Sequence, residues 1–225
     1  MPINEFSYQE IVKGLQAANV TLVAVSKTKP VEDIEALLAK GQLDFGENYV
    51  QELVQKQSQI TTDIRWHFIG HLQTNKVKQI IPFVYLIHSV DSLKLLKEIN
   101  KQAEKVNTVV DCLLQIYIAE EETKFGMNEQ EVYELLDASA SLHHVNIKGL
   151  MGMATLTGDD NQVRKEYRYL KQLYDKLLSE RVECAAFSIL SMGMSGDYQL
   201  AIEEGSNMVR IGSLIFGERN YASGN

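Results

Sequence analysis

The stretch TLVAVSKTKPVEDIEALLAKG (Thr21–Gly41) decides the fold class of this 225-residue chain. It opens with the apolar, β-branched run TLVAVS (Thr21–Ser26), which is typical of a buried strand. A turn follows, and then a helix whose apolar side chains share one face: Val31, Ile34, Leu37 and Leu38. Gly41 ends the helix, because glycine adopts the left-handed conformation common after a helix C-terminus. The stretch is therefore one strand–turn–helix unit.

The same unit recurs along the whole chain. Seven further apolar runs resemble the first: Leu43–Phe45, Arg65–Ile69, Tyr85–His88, Val109–Ile118, Val145–Gly149, Ala185–Leu190 and Met208–Ile211. Strands that alternate with amphipathic helices predict parallel strands joined by crossovers. Eight such units in about 200 residues favour a closed (β/α)8 TIM barrel over an open doubly wound sheet. A G-x-G-x-x-G turn, which would favour the open sheet, follows none of these runs.

Composition limits the classes of function. Hydrophobic residues make up 45% of the chain, which permits one sizeable core, and residues 1–225 are interpreted as a single domain. A helix at about Tyr8–Ala18 is expected to plug or flank the barrel. The net charge of −8 argues against nucleic acid or an anionic membrane as a general partner.

The expected location of the chain is the cytoplasm. The N-terminus MPINEFSYQE has acidic residues and lacks the apolar region of a signal peptide. The apolar runs are all shorter than the roughly 18 residues of a membrane span. The two cysteines, Cys112 and Cys184, are far apart in the sequence and are interpreted as buried, reduced thiols.

Polar and small residues follow directly after most of the predicted strands. Barrel enzymes build their sites at these C-terminal strand ends. The residues at these ends are Lys27, Glu47, Asn48, Gly70, His71, His88, Met151, Met153, Ser191 to Ser195, Arg210, Gly212 and Ser213. The sequence therefore predicts a functional site on one rim of the barrel.

Lys27 closes an apolar strand, where an ammonium group is costly unless it is paired or functional. Burial lowers the pKa of a lysine, and the neutral amine attacks an aldehyde to form an imine. The alternative is a solvated lysine just past the strand. Lys29 could point the same way, but Pro30 is expected to draw it onto the loop, so Lys27 is the preferred candidate.

Arg210 interrupts the last apolar strand, and a cation at the mouth of a barrel needs an acceptor. The alternative to a ligand is a structural salt bridge with Glu47 or Glu203. Gly212 and Ser213 follow directly and, with the segment Ser191–Ser195, match the barrel's usual phosphate-binding loops after strands 7 and 8.

His67 and His71 are four residues apart, a spacing that suits two metal ligands only on a helix. They lie on a predicted strand, so a metal site is not expected. Trp66, directly before His67, is interpreted as a core residue.

These motifs together resemble one known family. The segments are AVSKTKP, FGENYVQE, WHFIGHLQTNK, HSVDS, KFGM, GLMGMAT, LSMGMSGDY and VRIGSLIFGER, which run from about Thr21 to Arg219. They resemble the pyridoxal 5'-phosphate (PLP) homeostasis proteins, also called the YggS or proline synthase co-transcribed family. The resemblance implies a monomeric barrel like the N-terminal domain of bacterial alanine racemase.

The resemblance also implies the site. PLP would be covalently bound to Lys27, with Ser191, Ser195, Gly212 and Ser213 around its phosphate. Arg210 would face the pyridine nitrogen, Asn48 would lie near the ring, and Met151 and His71 are carried over as further contacts. Ser213 departs from the threonine of many members but keeps the hydroxyl.

The resemblance favours a PLP carrier or regulator without established catalysis. An arginine at the ring nitrogen weakens PLP as an electron sink. The racemases add a second base, a tyrosine from a C-terminal domain, and this chain ends at Asn225. PLP and PLP-accepting apo-enzymes are the expected partners. Two alternatives stay open, a small PLP-dependent racemase and a class I aldolase that uses Lys27 without PLP.

Overall fold

In the computed structural model of the chain, the predicted strands pair side by side in sequence order. The structure describes residues 3–120, 125–181, 184 and 186–217. Within these residues there are eight strands: β1 (Thr21–Val25), β2 (Asp44–Glu47), β3 (Arg65–Phe68), β4 (Val84–Val90), β5 (Val110–Ile116), β6 (Val145–Gly152), β7 (Ile189–Met194) and β8 (Met208–Ile211). Each pairs in parallel with the next, and β8 pairs with β1 to close the barrel. The predicted (β/α)8 barrel is confirmed.

Helices cover the outside of this barrel. Those that the described residues form are α1 (Glu5–Ala17), α2 (Val31–Leu38), α3 (Val50–Gln59), α4 (Val77–Ile80), α5 (Leu93–Lys105), α6 (Glu129–Ser139), α7 (Asp160–Glu180), α8 (Tyr198–Glu203) and α9 (Ser213–Phe216). In α5, the buried residues Leu95, Leu96, Ile99 and Ala103 recur every three or four positions. Burying each leucine or isoleucine contributes roughly 1.5–3 kcal/mol, so packing on the barrel outweighs helix propensity.

Two apolar layers result from the alternation of side chains along the strands. The inner layer fills the barrel with five buried side chains: Val23, Leu86, Leu113, Met151 and Met208. The outer layer lies between the strands and the helices and includes Phe45, Trp66 and Phe68. Trp66 is only 1% exposed, which confirms its interpretation as a core residue. Both cysteines are buried, as predicted.

Helix α1 flanks the barrel. It packs against α9 and β1, and the backbone N–H of Asn4 donates to the carbonyl of Ile215 (2.7 Å). Its residues Tyr8, Ile11 and Leu15 are buried in the outer apolar layer. Because α9 has only one turn, α1 covers the outer surface that α9 leaves open.

The longest helix, α7, has 21 residues. The sequence predicts one apolar stripe along this helix, and its residues are buried: Val163, Tyr167, Leu170, Tyr174 and Leu177. Among the residues that the structure describes, no helix has the combined length and apolarity needed to cross a bilayer.

Two predicted elements differ from the structure. The seventh strand was expected at Ala185–Leu190 but lies at Ile189–Met194, and Ala185 is outside the described residues. Phe187 packs in the outer layer ahead of the strand, so the apolar run marks the approach to β7. The sequence also predicts a helix from about Asn75, where the structure has a 3-10 turn, Thr74–Lys76, followed by the single turn of α4.

Candidate functional site

A cavity of about 430 Å³ opens at the C-terminal ends of the strands. We call it the mouth cavity. Six of the predicted site residues line it: Lys27, Asn48, Ser195, Arg210, Gly212 and Ser213. They come from both ends of the chain, and the pairing of β1 with β8 brings them together. The volume is in the usual range for a small-molecule site, roughly 300–1,000 Å³.

Lys27 continues the inward-facing row of β1. Val23 packs inside the barrel and Val25 lines the mouth cavity, and side chains two positions apart along a strand share a face. Lys27 is the next residue in this row, is half-buried and lines the cavity. Its position at the mouth therefore follows from the direction of β1.

Lys29 lines the mouth cavity as well, although Pro30 was expected to draw it away. Its Nζ donates to the backbone carbonyls of Phe216 (2.8 Å) and Gly217 (3.3 Å), at the C-terminal end of α9. The expectation was wrong because a lysine side chain is long enough to reach the cavity wall from the loop. Two amines therefore border the same cavity.

The loops after β7 and β8 contact each other across the cavity wall. The backbone N–H of Gly212 donates to Oγ of Ser195 (3.1 Å). Gly212 also packs closely on β1, because a Cβ built there would lie 3.1 Å from the carbonyl oxygen of Val25. Ser213 begins α9, and the first N–H groups of a helix lack intrahelical acceptors. The two loops thus present hydroxyl and N–H donors to the cavity.

Asp197 fixes the shape of the β7–α8 loop. Its Oδ1 accepts from the backbone N–H of Met194 (2.6 Å), and its Oδ2 accepts from the hydroxyl of Tyr167 (2.8 Å). Burial first, and then the charge of Asp197, raise the pKa of Tyr167. Tyr167 therefore remains a hydroxyl donor, and the segment that carries Ser195 is held from both sides.

Arg210 lies at the floor of the mouth cavity and is only 3% exposed. Its Nη1 donates to Oγ of Ser191 (2.5 Å), and its Nη2 donates to the carbonyl of Gly152 (3.0 Å). The salt bridge considered with Glu47 or Glu203 does not form, because Glu47 bonds Lys56 and Glu203 bonds Arg164. The guanidinium is thus fixed by two neutral acceptors.

A chain of buried hydrogen bonds runs from Arg210 through the barrel interior. Burial lowers the pKa of both histidines, so each ring is neutral and has one N–H. A carboxylate only accepts, so Nε2 of His67 donates to Oδ1 of Asp44 (2.9 Å), and Nδ1 of His67 accepts from Nε2 of His88 (2.9 Å). Nδ1 of His88 then accepts the hydroxyl hydrogen of Ser191 (3.2 Å), whose oxygen accepts from Nη1 of Arg210.

The electrostatics agree with this direction. Burial lowers the pKa of both His67 and His88. At His88 the charge of Arg210 and the neighbouring His67 lower the pKa further, whereas at His67 the bond to Asp44 opposes burial. Burial also lowers the pKa of Arg210 from its ordinary value. The chain ends at the opposite side of the barrel, where Nη2 of Arg65 donates to Asp44 (2.5 Å).

Asn48 contributes a polar group to the cavity wall. It follows β2 directly, and its backbone lies so close to Gly70 that a Cβ on that glycine would be 2.2 Å from the Asn48 carbonyl oxygen. Within the described residues, its buried Oδ1 accepts no hydrogen bond. A buried acceptor that lacks a donor destabilises the protein by about 1–3 kcal/mol. A ligand that donates a hydrogen bond to this oxygen would remove that cost.

Three predicted site residues lie outside the wall of the mouth cavity. Met151 is fully buried in the inner apolar layer, two residues before Met153, which does line the cavity. Ser191 lies within β7 and contacts Arg210. His71 is exposed, pairs with Asp91 through Nδ1 (3.1 Å) and stacks on Phe125.

Other residues of the mouth cavity were not predicted. They are Val25, Ile69, Leu156, Gly196 and Gly217, whereas Met153 and Met194 belong to the strand-end residues named from the sequence. The two-residue periodicity of a strand could have identified some of them. For example, Val25 faces the same side of β1 as Val23. His88 was noted only as a strand end, and His67 only for its spacing from His71, which was not expected to form a metal site. Within the described residues, no three potential metal ligands lie together.

Comparison with known proteins first defines the structural class. The family model for the N-terminal domain of alanine racemase matches residues 7–220. The alanine racemase of Clostridium difficile 630 superposes with a TM-score of 0.74 at 21% identity, over 97% of this chain and 56% of that chain. At this identity the likeness concerns the fold alone. The chain is thus a barrel of the alanine racemase N-terminal class.

More similar relatives identify the family. The pyridoxal phosphate homeostasis protein of Aquifex aeolicus is 43% identical over 201 residues, 89% of this chain and 87% of the relative. That of Escherichia coli K12 is 36% identical over 213 residues, 93% of this chain and 90% of the relative.

PipY of Synechococcus elongatus, solved with and without PLP, gives the structural counterpart. The PLP-free structure has a TM-score of 0.87 at 32% identity, over 92% of this chain and 99% of that chain. The PLP-bound structure has a TM-score of 0.85 at 31% identity. The chain belongs to the pyridoxal phosphate homeostasis protein family.

Proposed function

We propose that this chain binds PLP in the mouth cavity, covalently through Nζ of Lys27, and acts in intracellular PLP homeostasis. One observation carries the proposal. Lys27 lines the same cavity as the donor loops after β7 and β8, at Ser195, Gly212 and Ser213. An amine for an aldehyde and donors for a phosphate are the two groups that PLP requires. The family relatives and the PLP-bound PipY structure support the same ligand.

The residues present fit this ligand. The cavity has the size of a small-molecule site, and Asn48 Oδ1 is a buried acceptor without a partner among the described residues. Ser191 does not line the cavity and would affect PLP binding through Arg210, from which it accepts a hydrogen bond. Met151 and His71 are retained as proposed contributors from outside that wall.

We propose a carrier or regulator rather than a catalyst. PLP supplies an electron sink for amino-acid chemistry when its ring nitrogen is protonated. Arg210 is a buried cation held by Ser191 and Gly152, and a fixed cation at the floor of the cavity disfavours protonation of a nearby ring nitrogen. The proposal also includes a monomeric chain, located in the cytoplasm, that delivers PLP to apo-enzymes.

The covalent linkage is tested on the purified protein. We expect a near-visible absorbance band with PLP, which borohydride reduction fixes as a stable adduct on Lys27 in peptide mass spectrometry. Lys27→Gln should lose the band and the adduct. Lys29→Gln is the matched control, because it removes the other amine of the mouth cavity, and it should keep both.

The results distinguish the alternatives. Wild-type protein that stays colourless and unlabelled with PLP would refute the proposal. Turnover of an L-amino acid to its D-isomer, measured by chiral chromatography and lost in Lys27→Gln, would replace the carrier with a racemase. A reducible adduct formed with a sugar aldehyde or ketone, but not with PLP, would indicate an aldolase.

A further inference from the structure

A buried ion-pair cluster holds the backbone on both sides of Lys27. Nζ of Lys56 donates to the backbone carbonyl of Ser26 (2.8 Å), to Oε1 of Glu47 (2.7 Å) and to Oε1 of Glu52 (2.7 Å). The hydroxyl of Ser26 donates to Oε1 of Glu47 as well (2.6 Å). The residue before Lys27 is therefore bound through both its main chain and its side chain.

The residue after Lys27 is bound by the same cluster. The backbone N–H of Thr28 donates to Oε1 of Glu52 (2.5 Å). Thr28 has φ +64°, in the left-handed region, where a β-branched residue is strained by roughly 1–2 kcal/mol. A hydrogen bond to a carboxylate contributes about 1.5–3 kcal/mol, enough to hold this conformation. Glu52 thus fixes the turn at Thr28.

The cluster acts through the backbone of the loop. Glu47 is fully buried and Lys56 is 5% exposed, so neither ion is free to move far. Burial raises the pKa of Glu47, and Lys56 opposes this rise. Of the described residues, those that line the mouth cavity include Lys27 and Lys29 but not Glu47, Glu52 or Lys56. The cluster lies behind the segment that carries the amines.

Two lysine amines border one cavity, so a structural feature must determine which of them reacts with a ligand. Lys27 and Lys29 are two residues apart, and both border the mouth cavity. With the turn at Thr28 fixed, Lys27 follows the inward row of β1, and Nζ of Lys29 is directed to the carbonyl of Phe216 (2.8 Å). Rotation of the backbone at Thr28 would change the direction of Lys29 relative to that of Lys27.

We propose that Glu52 is a positioning residue which, with Lys56 and Glu47, presents Lys27 rather than Lys29 to the aldehyde of PLP. The inference rests on the proposed function. In the selected step, Nζ of the lysine adds to the aldehyde carbon and the aldehyde oxygen leaves as water, so no oxidant or reductant is needed.

The test compares substitutions of Glu52. Glu52→Ala removes the acceptor for Thr28, Glu52→Asp withdraws it by one methylene while keeping the charge, and Glu52→Gln keeps an oxygen at the same position. Each purified variant is incubated with PLP and reduced with borohydride, and tandem mass spectrometry locates the adduct. Absorbance gives the rate of linkage, and thermal unfolding shows that the variant is folded.

We expect adduct on Lys27 alone in wild type and Glu52→Gln. In Glu52→Ala and Glu52→Asp, the rate should fall about tenfold or more, because small displacements of a reacting group have effects of this size. Part of the adduct should move to Lys29. A loss of stability alone would not change which lysine is labelled.

Folded Glu52→Ala and Glu52→Asp that label Lys27 alone at the wild-type rate would overturn this inference. Wild-type protein without adduct on Lys27 would instead refute the proposed function. If Glu52→Ala does not fold, Glu52→Asp still decides the matter, because it keeps the negative charge beside Lys56.

Discussion

At the scale of single residues, Ser191 decides how Arg210 is held. Its oxygen accepts from Nη1 of Arg210, and its hydrogen is committed to Nδ1 of His88. Both histidines donate in the direction of Asp44. Reversing the Ser191 hydroxyl would therefore break the hydrogen bonds that follow it. A serine that was expected at a phosphate therefore orients a cation at the cavity floor.

Ser191→Ala should weaken both the fold and PLP binding. It leaves one guanidinium N–H and one imidazole nitrogen unpaired inside the barrel, at a cost of about 1–3 kcal/mol. With Arg210 held only by the carbonyl of Gly152, we expect the dissociation constant of PLP to rise about tenfold, which corresponds to about 1.4 kcal/mol. Fluorescence titration measures the affinity, and urea unfolding measures the stability.

Ser206→Ala is the matched control for this prediction. Ser206 is also buried, and its hydroxyl lies within hydrogen-bond distance of three backbone carbonyls, those of Leu190, Met192 and Met208, to one of which it donates. The variant should lose a similar amount of stability and keep the wild-type affinity for PLP. Equal losses of affinity in both serine variants would show that Ser191 has no specific effect on Arg210.

At the scale of helices and strands, the sequence predicts those elements whose apolar pattern is regular. Strand β8 has the predicted bounds, Met208–Ile211, and helix α2 (Val31–Leu38) contains all four residues of its predicted apolar face. Strand β7 does not, because Ser191 and Gly193 are buried in it and interrupt the apolar run. Small or polar residues inside a barrel cannot be distinguished from a loop by hydrophobicity.

The sequence predicts those residues of the candidate site that lie at the C-terminal ends of strands. Lys27, Arg210 and Gly212 line one cavity, as expected, because all barrel strands end at the same rim. The depth of a residue below that rim was not predictable. Met151 and Ser191 lie deeper because β6 and β7 extend to Gly152 and Met194, and strand length depends on pairing that local patterns do not show.

Strand β6 depends on a glycine in the middle of its length. Cys112 and Leu113 of β5 pair with Ile147 and Gly149, so Lys148 is skipped in a bulge, and Gly149 has φ +148°. A Cβ at Gly149 would lie 1.8 Å from the carbonyl oxygen of Ile189. Gly149→Ala should therefore destabilise the protein by about 3 kcal/mol or more, because backbone strain adds to overpacking.

Thermal unfolding checks this prediction, with an expected fall in Tm of about 6–12 °C for a domain of this size. Gly14→Ala in α1 is the control, since a Cβ there meets nothing within 4 Å. Alanine in a helix interior should raise stability by roughly 0.5–1 kcal/mol. A Gly149→Ala variant as stable as wild type would mean that the bulge can shift to accept a side chain.

At the scale of the whole molecule, the buried histidines make stability depend on pH. The folded-state pKa of both His67 and His88 lies below the ordinary 6.5, because burial disfavours the charged rings. In the unfolded chain both rings take up protons as the pH falls through 6.5, whereas the folded barrel keeps them neutral. Stability is therefore retained above that pH and lost below it.

Between pH 7.5 and 5.5 the free energy of unfolding should fall by at most about 3 kcal/mol from these two residues together, the limit for two rings that stay neutral in the folded barrel. The charged groups near the pair are Asp44, Arg65 and Arg210, and the position of Arg210 beside His88 adds to the resistance against protonation. Urea unfolding at a series of pH values measures the slope.

His88→Gln should halve this slope, because one of the two neutral rings is removed while an amide can still bond Ser191 or His67. Burial raises the pKa of Glu47, so the contribution of this residue to stability falls as the pH rises above 4.5. This opposite effect is the same in wild type and variant. His143→Gln, at an exposed position, should leave the slope unchanged. Wild-type stability that is constant down to pH 5.5 would show that the barrel accommodates a charged imidazole, and the single donor direction assigned to the chain from Arg210 to Asp44 would then be wrong.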